Sequence, residues 1–258
     1  GGGNTLLIHC WRGGMRSSSM AWLFERMGLR CYLLEGGYRN YRRLMRSFFS
    51  KPWNLEVIGG CTGSGKTEIL HHLAGRGEQV IDLEQLANHK GSAFGALGEE
   101  PQPTTEHFEN LIGMQLLQMD PGREIWIEDE SMNIGKCVLP AGLYQQMKEG
   151  TLWFLDIPRE ERARYLTRHY AGHDREELKQ CVAKIEKRLG GSRTREAIQA
   201  IDQGDFLRTA LIALQYYDKS YLHSLRRNHL RYQLIASGRV DPEKNALLLQ
   251  KYAGKEKE

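Results

Sequence analysis

The sequence predicts an α/β fold in which a parallel sheet carries a phosphate-binding loop, with part of another α/β unit before it and a mainly helical region after it. Short apolar segments alternate with helical segments over residues 1–158, which is typical of a doubly wound parallel sheet. A Gly-rich loop follows one apolar segment, and the pattern is almost wholly helical from Arg159 to Asn228. We therefore predict three domains, comprising residues 1–51, 52–158 and 159–258.

The first predicted domain has the order strand, helix, strand, helix. A strand at Thr5–His9 ends at Cys10, a second strand is expected at Cys31–Leu34, and a turn at Gly36–Gly37 leads into a basic helix. A parallel sheet of only two strands leaves its edges and faces uncovered. We therefore expect this segment to be the back half of a domain whose front half is missing.

The second predicted domain begins after a boundary at Lys51–Asn54. Its clearest helix runs from Thr104 to Met119, where apolar side chains form one stripe. The last strand of the chain is expected at Leu230–Ala236, where the helical region returns to the core. Four apolar segments are the strand candidates of the second domain: Leu55–Ile58, Gln79–Ile81, Ile125–Ile127 and Leu152–Leu155.

The composition is that of a globular protein. Of 258 residues, 40% are hydrophobic and 26% are charged, which excludes disorder and collagen-like structure. The sequence contains no apolar run of about 18 residues and no signal-like start, so we expect a cytoplasmic protein without membrane contact. Its five cysteines are scattered without a CxxC pair, which suggests neither a disulfide framework nor a thiolate zinc site.

A phosphate-binding loop is the strongest local signal. The residues from Gly60 to Thr67, Gly-Cys-Thr-Gly-Ser-Gly-Lys-Thr, fit the pattern G-x-x-x-x-G-K-[ST] between an apolar strand and a helix. Backbone N–H groups of such a loop converge on phosphate oxygens, Lys66 would bridge phosphates, and Thr67 would hold a magnesium ion. The predicted phosphate-binding residues are Gly60, Thr62, Gly63, Ser64, Gly65, Lys66 and Thr67.

Acidic residues follow two of the predicted strands, Asp82 and Glu84 after one and Glu128 and Asp129 after the other. Ligands bind at the carboxyl ends of parallel strands in this architecture, and phosphate-loop proteins usually keep an acid there for a metal or its waters. We predict that these four residues form an acidic or metal-assisting site. The alternative for each is a solvated acid at a strand end.

Cys10, followed after five residues by Arg16, is the second chemical signal. A loop of successive backbone N–H groups that is bordered by Arg12 and Arg16 and ends at a helix would lower the thiol pKa. This favours a nucleophile or a carrier of sulfur or selenium over a buried structural cysteine. The same spacing occurs in cysteine phosphatases, so the motif alone does not separate phosphate chemistry from chalcogen transfer.

The charge is unevenly distributed along the chain. The total is 36 − 32 = +4, but residues 1–51 hold 9 basic and 2 acidic side chains, residues 52–158 hold 6 and 16, and residues 159–234 hold 16 and 10. Two basic flanks around an acidic middle suggest a nucleic-acid partner, because phosphates need cations; ordinary solvated helix faces are the alternative. The candidate contacts are Arg42, Arg43, Arg164, Arg168, Arg193, Arg226 and Arg227.

The order of the two motifs resembles the bacterial tRNA 2-selenouridine synthase family, in which a rhodanese-type domain is fused to a phosphate-loop domain. The loop Cys-Trp-Arg-Gly-Gly-Met-Arg-Ser from Cys10 comes first, and Gly-Gly-Cys-Thr-Gly-Ser-Gly-Lys-Thr from Gly59 follows. The resemblance covers nearly the whole chain. Further similar stretches are Leu34–Tyr38, Asp82–Glu84, His89–Gly95, Phe108–Leu111, Glu128–Ser131 and Ile134–Gly135.

The resemblance implies a transferase that acts on 2-thiouridine at the tRNA wobble position. In the family, a geranyl group from geranyl diphosphate is placed on the sulfur, and selenium from selenophosphate then displaces the geranylated sulfur. The phosphate loop would hold the diphosphate with Lys66 as a catalytic residue, Cys10 with Arg12 and Arg16 would serve selenation, and the candidate arginines would bind tRNA. Apart from a magnesium ion, we expect no tightly bound cofactor.

One departure from the family pattern concerns the first domain. Family members carry a longer rhodanese portion before the cysteine strand, whereas nine residues precede Cys10 here. We therefore expect a fragment that keeps tRNA binding and geranylation better than selenation. A phosphate-loop kinase or NTPase fused to a thiol or sulfurtransferase domain is the alternative function, and a non-catalytic tRNA-binding module is a third.

Overall fold

A computed structural model describes residues 3–228 and 232–255, and these form two compact units. The first unit holds the described residues up to Lys51 together with Glu109–Gln118, and the second holds the rest. The three-domain division remains a prediction. None of the described helices is both long and apolar enough to cross a membrane.

The first unit confirms the predicted order of strands and helices. Strand β1 (Thr5–Ile8) pairs in parallel with β2 (Arg30–Leu33), and α1 (Met15–Arg26) connects them. Helix α2 (Gly37–Ser47) follows and continues into a short 3-10 turn at Phe48–Ser50. Its likeness to a rhodanese domain remains a prediction.

The faces of this two-stranded sheet are largely open. On the strands, Leu7 is 69% and Leu33 47% exposed, and on the connecting helix α1, Trp22 is 59% and Met15 86% exposed. Two parallel strands cannot bury both their faces with one or two helices, so these large apolar side chains remain in contact with solvent.

The second unit is built on a five-stranded, wholly parallel sheet. The strands lie in the order β4, β5, β3, β8, β9. Their bounds are β3 Leu55–Gly60, β4 Gln79–Ile81, β5 Ile125–Glu128, β8 Thr151–Asp156 and β9 Tyr232–Ala236. All six residues of β3 are buried, as a central strand covered on both faces requires. The four strand candidates are therefore confirmed, and the expected last strand is observed from Tyr232, its first two residues lying outside the described ranges.

Helices connect the strands and build a further helical layer. The remaining elements of the second unit are α3 Lys66–Gly75, α4 Leu83–Ala87, the start of α5 Thr105–Gln118, the short strands β6 Asn133–Ile134 and β7 Cys137–Val138, α6 Ala141–Glu149, α7 Arg159–Tyr170, α8 Arg175–Lys184, α9 Glu186–Leu189, α10 Gly191–Asp202, α11 Phe206–Asn228 and α12 Pro242–Lys255. The antiparallel pair β6–β7 was not predicted, since a two-residue strand is too short to show an alternating pattern.

Two clusters of buried apolar side chains stabilise this unit. One joins the sheet to α3 and α12, with Ile58, Leu70, Trp153 and Leu249 among its members. The other lies among α8, α10 and α11. Because the first cluster packs behind β3 and α3, it fixes the strand and the helix between which the phosphate loop runs.

Candidate active site

The phosphate loop joins the end of β3 to the start of α3. Gly63 and Gly65 have positive φ angles of +83° and +74°, a conformation that favours glycine. A Cβ atom on Gly63 would lie 2.9 Å from Leu166 Cγ. The Ser64 hydroxyl donates a hydrogen bond to the Cys61 carbonyl at 2.5 Å, which helps to fix the turn. The loop therefore leads directly into a helix N-terminus, where backbone N–H groups bind anions.

Lys66 and Thr67, the first two residues of α3, carry the side-chain chemistry of the loop. The Lys66 ammonium donates to the Gly60 carbonyl at 3.3 Å and lies 4.0 Å from Glu130 Oε1. Burial alone would lower the Lys66 pKa, but neighbouring carboxylates, Glu130 foremost, raise it above its ordinary value. Lys66 is therefore a cation, and the Thr67 hydroxyl donates to Glu84 Oε2 at 2.8 Å.

Three glutamates surround this pair. The Glu84 backbone N–H donates to Glu128 Oε1 at 2.7 Å, and Glu84 and Glu130 line the cleft in front of the loop. Burial raises the pKa of Glu84 and raises that of Glu128 well above its ordinary value. Burial raises the pKa of Glu130 to about 8, with the charge of Glu84 adding to the effect. With a pKa of about 8, Glu130 is therefore largely protonated at neutral pH.

Asp82 and Asp129 are occupied by other interactions. Asp82 accepts from the Gln85 backbone N–H at 2.8 Å, capping α4, and lies 2.9 Å from His71 Nε2. Asp129 accepts from Lys148 Nζ at 2.6 Å and from the Tyr221 hydroxyl at 2.7 Å. Among the four predicted acids, Glu84 and Glu128 contact one another next to Thr67, whereas Asp82 stabilises a helix start.

Tyr221 links Asp129 to the phosphate loop. Its hydroxyl oxygen accepts from the Gly60 backbone N–H at 3.2 Å while its proton is donated to Asp129. Burial raises the Tyr221 pKa well above its ordinary value, so the phenol stays neutral and keeps both hydrogen bonds. The two bonds fix the last residue of β3, where the loop begins.

A buried ion pair supports the loop from the helical region. The Arg162 guanidinium donates to both carboxylate oxygens of Asp218, at 2.9 and 3.0 Å, and to the Thr62 carbonyl at 3.0 Å. Its Nε donates to the Ile157 carbonyl at 2.9 Å. Paired with this arginine and with Arg159, Asp218 has a lowered pKa despite its burial. Arg162 therefore positions the loop through Thr62.

These residues border a cleft of about 470 Å³. The loop residues Thr62 to Thr67, Glu84 and Glu130 contribute to its lining, as do several tyrosines and three further cations from distant parts of the chain. Those contributors are Lys90, Tyr144, Lys148, Tyr165, Tyr170, Arg188, Tyr216, Tyr217 and Tyr221. A cleft with cationic, acidic and aromatic walls is suited to a phosphorylated ligand that also has an apolar or aromatic part.

The oxygen donors beside the loop offer few protein ligands to a magnesium ion. Glu128 Oε2 is buried and has no hydrogen-bond partner among the described residues, and Thr67 and Glu84 are adjacent oxygen donors. The described parts of the chain contain no group of three or more His, Cys, Asp or Glu side chains that could hold a metal ion. Thr67 and the adjacent glutamates could therefore supply only one or two ligands to a magnesium ion. Phosphate and water would supply the others, as is usual for this ion in phosphate sites.

The cysteine loop belongs to the first unit and is held against the start of α2. The Cys10 carbonyl accepts from the Tyr38 backbone N–H at 2.9 Å. Gly37 has a φ of +63°, and a Cβ atom there would lie 2.3 Å from both the Cys10 carbonyl oxygen and the Gly13 nitrogen. The predicted turn at Gly36–Gly37 thus requires glycine, because only a residue without Cβ lets the two backbone segments approach so closely.

The Cys10 thiol is acidic. The Ser17 hydroxyl, 3.3 Å from Sγ, and then the Gly14 backbone N–H lower the Cys10 pKa from 9.0 to about 6. The lowered pKa was predicted, but its largest cause is Ser17 rather than the arginines, whose side chains are exposed. By contrast, burial raises the pKa of Cys61 in the phosphate loop to about 11. Cys10 is therefore the better nucleophile of the two.

The arginines predicted to contact nucleic acid differ in how exposed their side chains are. The Arg42 guanidinium is paired with Glu109 and donates to Asn110 Oδ1 at 2.8 Å, so it is engaged within the first unit. Arg43 is exposed in the same helix. The others are exposed on helices of the second unit: Arg164, Arg168, Arg193, Arg226 and Arg227. Their contacts with nucleic acid remain predictions.

The sheet, the loop and the cleft define this molecule as a phosphate-loop α/β protein with its ligand site at the carboxyl ends of parallel strands. A family model described as the tRNA 2-selenouridine synthase AAA domain matches residues 53–247. The chain therefore belongs to the tRNA 2-selenouridine synthase family, a family of tRNA-modifying enzymes, and the resemblance identified from the sequence is confirmed.

Two relatives that carry the family name agree with this assignment. The tRNA 2-selenouridine synthase of Hydrogenovibrio crunogenus is 30% identical over 279 residues, covering 95% of this chain and 74% of that protein. That of Shewanella frigidimarina is 34% identical over 259 residues, covering 87% of this chain and 69% of that protein. Among solved structures, the tRNA isopentenylpyrophosphate transferase of Bacillus halodurans gives a TM-score of 0.43 at 12% identity, covering 79% of this chain and 97% of that chain.

Proposed function

We propose that this chain takes part in converting 2-thiouridine to 2-selenouridine in tRNA, and that its phosphate loop binds the diphosphate of geranyl diphosphate for the first step. The observation that carries the proposal is the loop itself, which presents a helix N-terminus and the Lys66 cation to a cleft with aromatic walls. Family membership supplies the tRNA substrate. The two donors follow from the family resemblance.

In the first step, the sulfur of 2-thiouridine attacks C1 of the geranyl group. A C–S bond forms, the C1–O bond breaks, and diphosphate leaves with the bonding electron pair, while the base loses its N3 proton to solvent. Lys66 and the loop N–H groups would neutralise the charge that develops on the leaving diphosphate. A magnesium ion, if it enters with the diphosphate beside Thr67 and Glu84, supplies further neutralisation of that charge.

In the second step, selenium from selenophosphate replaces the geranylated sulfur. S-alkylation makes C2 of the base more electrophilic and turns sulfur into a thiolate leaving group. The Se–C2 bond forms, geranylthiol leaves, and water cleaves the Se–P bond to release phosphate. Cys10, with a pKa of about 6, is the residue we assign to selenium delivery, with Arg12 and Arg16 close by in sequence to attract the anionic donor.

The tRNA would be held by the exposed arginines, and the modified base would enter the cleft. Arg188 and Tyr216 line the cleft and are joined by a hydrogen bond of 2.8 Å. An unpaired base can stack on an aromatic ring or a guanidinium plane. This pair is therefore our candidate contact for the wobble base.

Mass analysis of tRNA nucleosides after incubation with each donor separately tests the proposal. Geranyl diphosphate alone should give geranylated 2-thiouridine, and addition of selenophosphate should give selenouridine. Lys66→Ala should abolish geranylation while tRNA binding is retained, and Lys219→Ala, at an exposed position of α11, serves as the matched control. Unchanged product with Lys66→Ala would refute the role given to the loop.

A nucleotide-turnover assay distinguishes the kinase or NTPase alternative. Turnover of ATP or GTP, or phosphate transfer to a small molecule, in the absence of tRNA would favour that alternative. Retained tRNA binding with no product from either donor would favour the non-catalytic tRNA-binding module.

A further inference from the structure

A second, smaller cavity adjoins the phosphate-loop cleft. It has a volume of about 60 Å³ and lies among α7, α8, α11 and the segment around Phe94. Most of its lining consists of carbon atoms from aliphatic and aromatic side chains. The lining includes Phe94, Leu166, Tyr170, Ala210, Ala213 and Leu214.

The cavity and the cleft share part of their walls. Thr62 of the phosphate loop lines both, and so do Leu166 and Tyr217. Leu166 also stands beside the loop, since a Cβ atom on Gly63 would lie 2.9 Å from its Cγ. A ligand whose phosphates rest on the loop therefore has an apolar space directly next to it.

Three hydroxyl groups around the cavity have hydrogen-bond partners within the protein. The Tyr217 hydroxyl accepts from the Ala93 backbone N–H at 3.1 Å. The Thr167 hydroxyl donates to the Ala163 carbonyl at 2.9 Å, and the Thr209 hydroxyl to the Asp205 carbonyl at 3.1 Å. Water needs two to four polar partners to be stable in a cavity, so hydrocarbon suits this space better than water.

We infer that this cavity is the subsite for the hydrocarbon tail of the allylic diphosphate, and that its size limits the length of the chain. The inference rests on the proposed function, which places the diphosphate on the loop. A cavity of about 60 Å³ is well below the roughly 150 Å³ of an apolar cavity that admits benzene. It therefore takes the end of a short branched chain and has no room for additional isoprene units.

Two alanines of α11 keep the cavity open. Ala210 and Ala213 line it, and a larger side chain at either position would occupy the space assigned to the tail. Leu166 forms part of the wall shared with the cleft, so shortening it would enlarge the space. The two kinds of substitution should change tail binding in opposite directions while leaving the contacts of the diphosphate in place.

Equilibrium binding of four ligands to the whole chain tests the inference: pyrophosphate, dimethylallyl diphosphate, geranyl diphosphate and farnesyl diphosphate. Geranyl diphosphate should bind at least tenfold more tightly than pyrophosphate, since tenfold is what burial of about two methylene groups provides. Ala210→Leu should remove most of this difference and leave pyrophosphate binding within twofold. Ala183→Leu, at an exposed position of α8, is the matched control and should change neither.

Leu166→Ala is the complementary variant, because it does not depend on filling the cavity. It should improve farnesyl diphosphate binding relative to geranyl diphosphate by at least threefold. Equal binding of pyrophosphate and geranyl diphosphate, or equal weakening of both by Ala210→Leu, would overturn the tail subsite while the diphosphate site stands. Failure of all four ligands to bind would instead refute the proposed function, and the subsite with it.

Discussion

The buried pair of Arg162 and Asp218 offers a sharp test of how the phosphate loop is held. Arg162 is 4% exposed and Asp218 5%, and the arginine also donates to the Thr62 carbonyl. Replacing Arg162 with Met removes the cation and its donors while keeping a long, flexible side chain. Among the described residues, Arg159 is then the one cationic partner left to Asp218, and its side chain is 42% exposed.

The expected cost follows from the burial of the pair. Removing one partner of a buried ion pair typically costs about 3–5 kcal/mol, because the other charge is left uncompensated. For a protein of this size, such a loss corresponds to a fall of roughly 10 °C in the unfolding midpoint. Replacing both residues with apolar ones, as in Arg162→Met with Asp218→Leu, should recover part of the loss, because no buried charge remains unpaired.

Thermal unfolding and pyrophosphate binding together provide the assay. Arg162→Met should lower both the unfolding midpoint and the affinity for pyrophosphate. The double variant should regain stability without regaining affinity, because neither methionine nor leucine restores the hydrogen bond to the Thr62 carbonyl. Arg164→Met, an exposed position on the same helix, should change stability by less than about 0.5 kcal/mol. A loss below about 1 kcal/mol for Arg162→Met, or a double variant as unstable as the sum of the single ones, would refute the reasoning.

Three further predictions concern pH and salt. The rate of Cys10 alkylation should rise with pH with a midpoint near pH 6. Ser17→Ala should move this midpoint to higher pH, because the Ser17 hydroxyl is the largest cause of the low Cys10 pKa. An unchanged midpoint in the variant would contradict the role given to Ser17. The free energy of unfolding of the wild type relative to Glu130→Gln should be greatest below about pH 4.5 and should fall as the pH rises through about 8. The reason is that folding raises the Glu130 pKa, so the folded protein holds a proton that the unfolded chain releases. A difference in denaturation that stays constant across this pH range would contradict the prediction. Replacing Arg226 and Arg227 with Ala should weaken tRNA binding and reduce the slope of log affinity against log salt by up to about 2, whereas an unaltered slope would remove them from the interface.

The phosphate loop could be predicted from the sequence because its determinants are local. A strand, a Gly-rich turn and a helix follow one another from Leu55 to Gly75, and the loop depends on the φ angles of Gly63 and Gly65. The acids at strand ends were also predictable, since parallel strands bring their carboxyl ends to one edge. Asp82 could have been assigned as a helix cap, because it directly precedes α4 and accepts from the N–H three residues on.

The support of the loop could not be predicted, because it depends on contacts between distant residues. Arg162 lies 100 residues from Thr62 in sequence and 56 from Asp218. Tyr221 lies 92 residues from Asp129. In the sequence, Arg162 is one of many arginines on basic helices, and nothing local distinguishes a buried, positioning arginine from a solvated one. Packing of α7 against α11, which buries Arg162 beside Asp218, makes that distinction.

The glutamates beside the loop bear on how an acidic segment would bind the anionic ligand that we propose. Residues 52–158 carry 16 acidic and 6 basic side chains, and ionised carboxylates next to a diphosphate would repel it. Burial instead raises the pKa values of Glu84, Glu128 and Glu130, while Lys66 remains a cation. At neutral pH the site is therefore less negative than the formal charge of the segment implies. The proton that Glu130 holds at neutral pH removes one negative charge beside Lys66, which would favour the approach of a diphosphate to this cation and to the helix N-terminus.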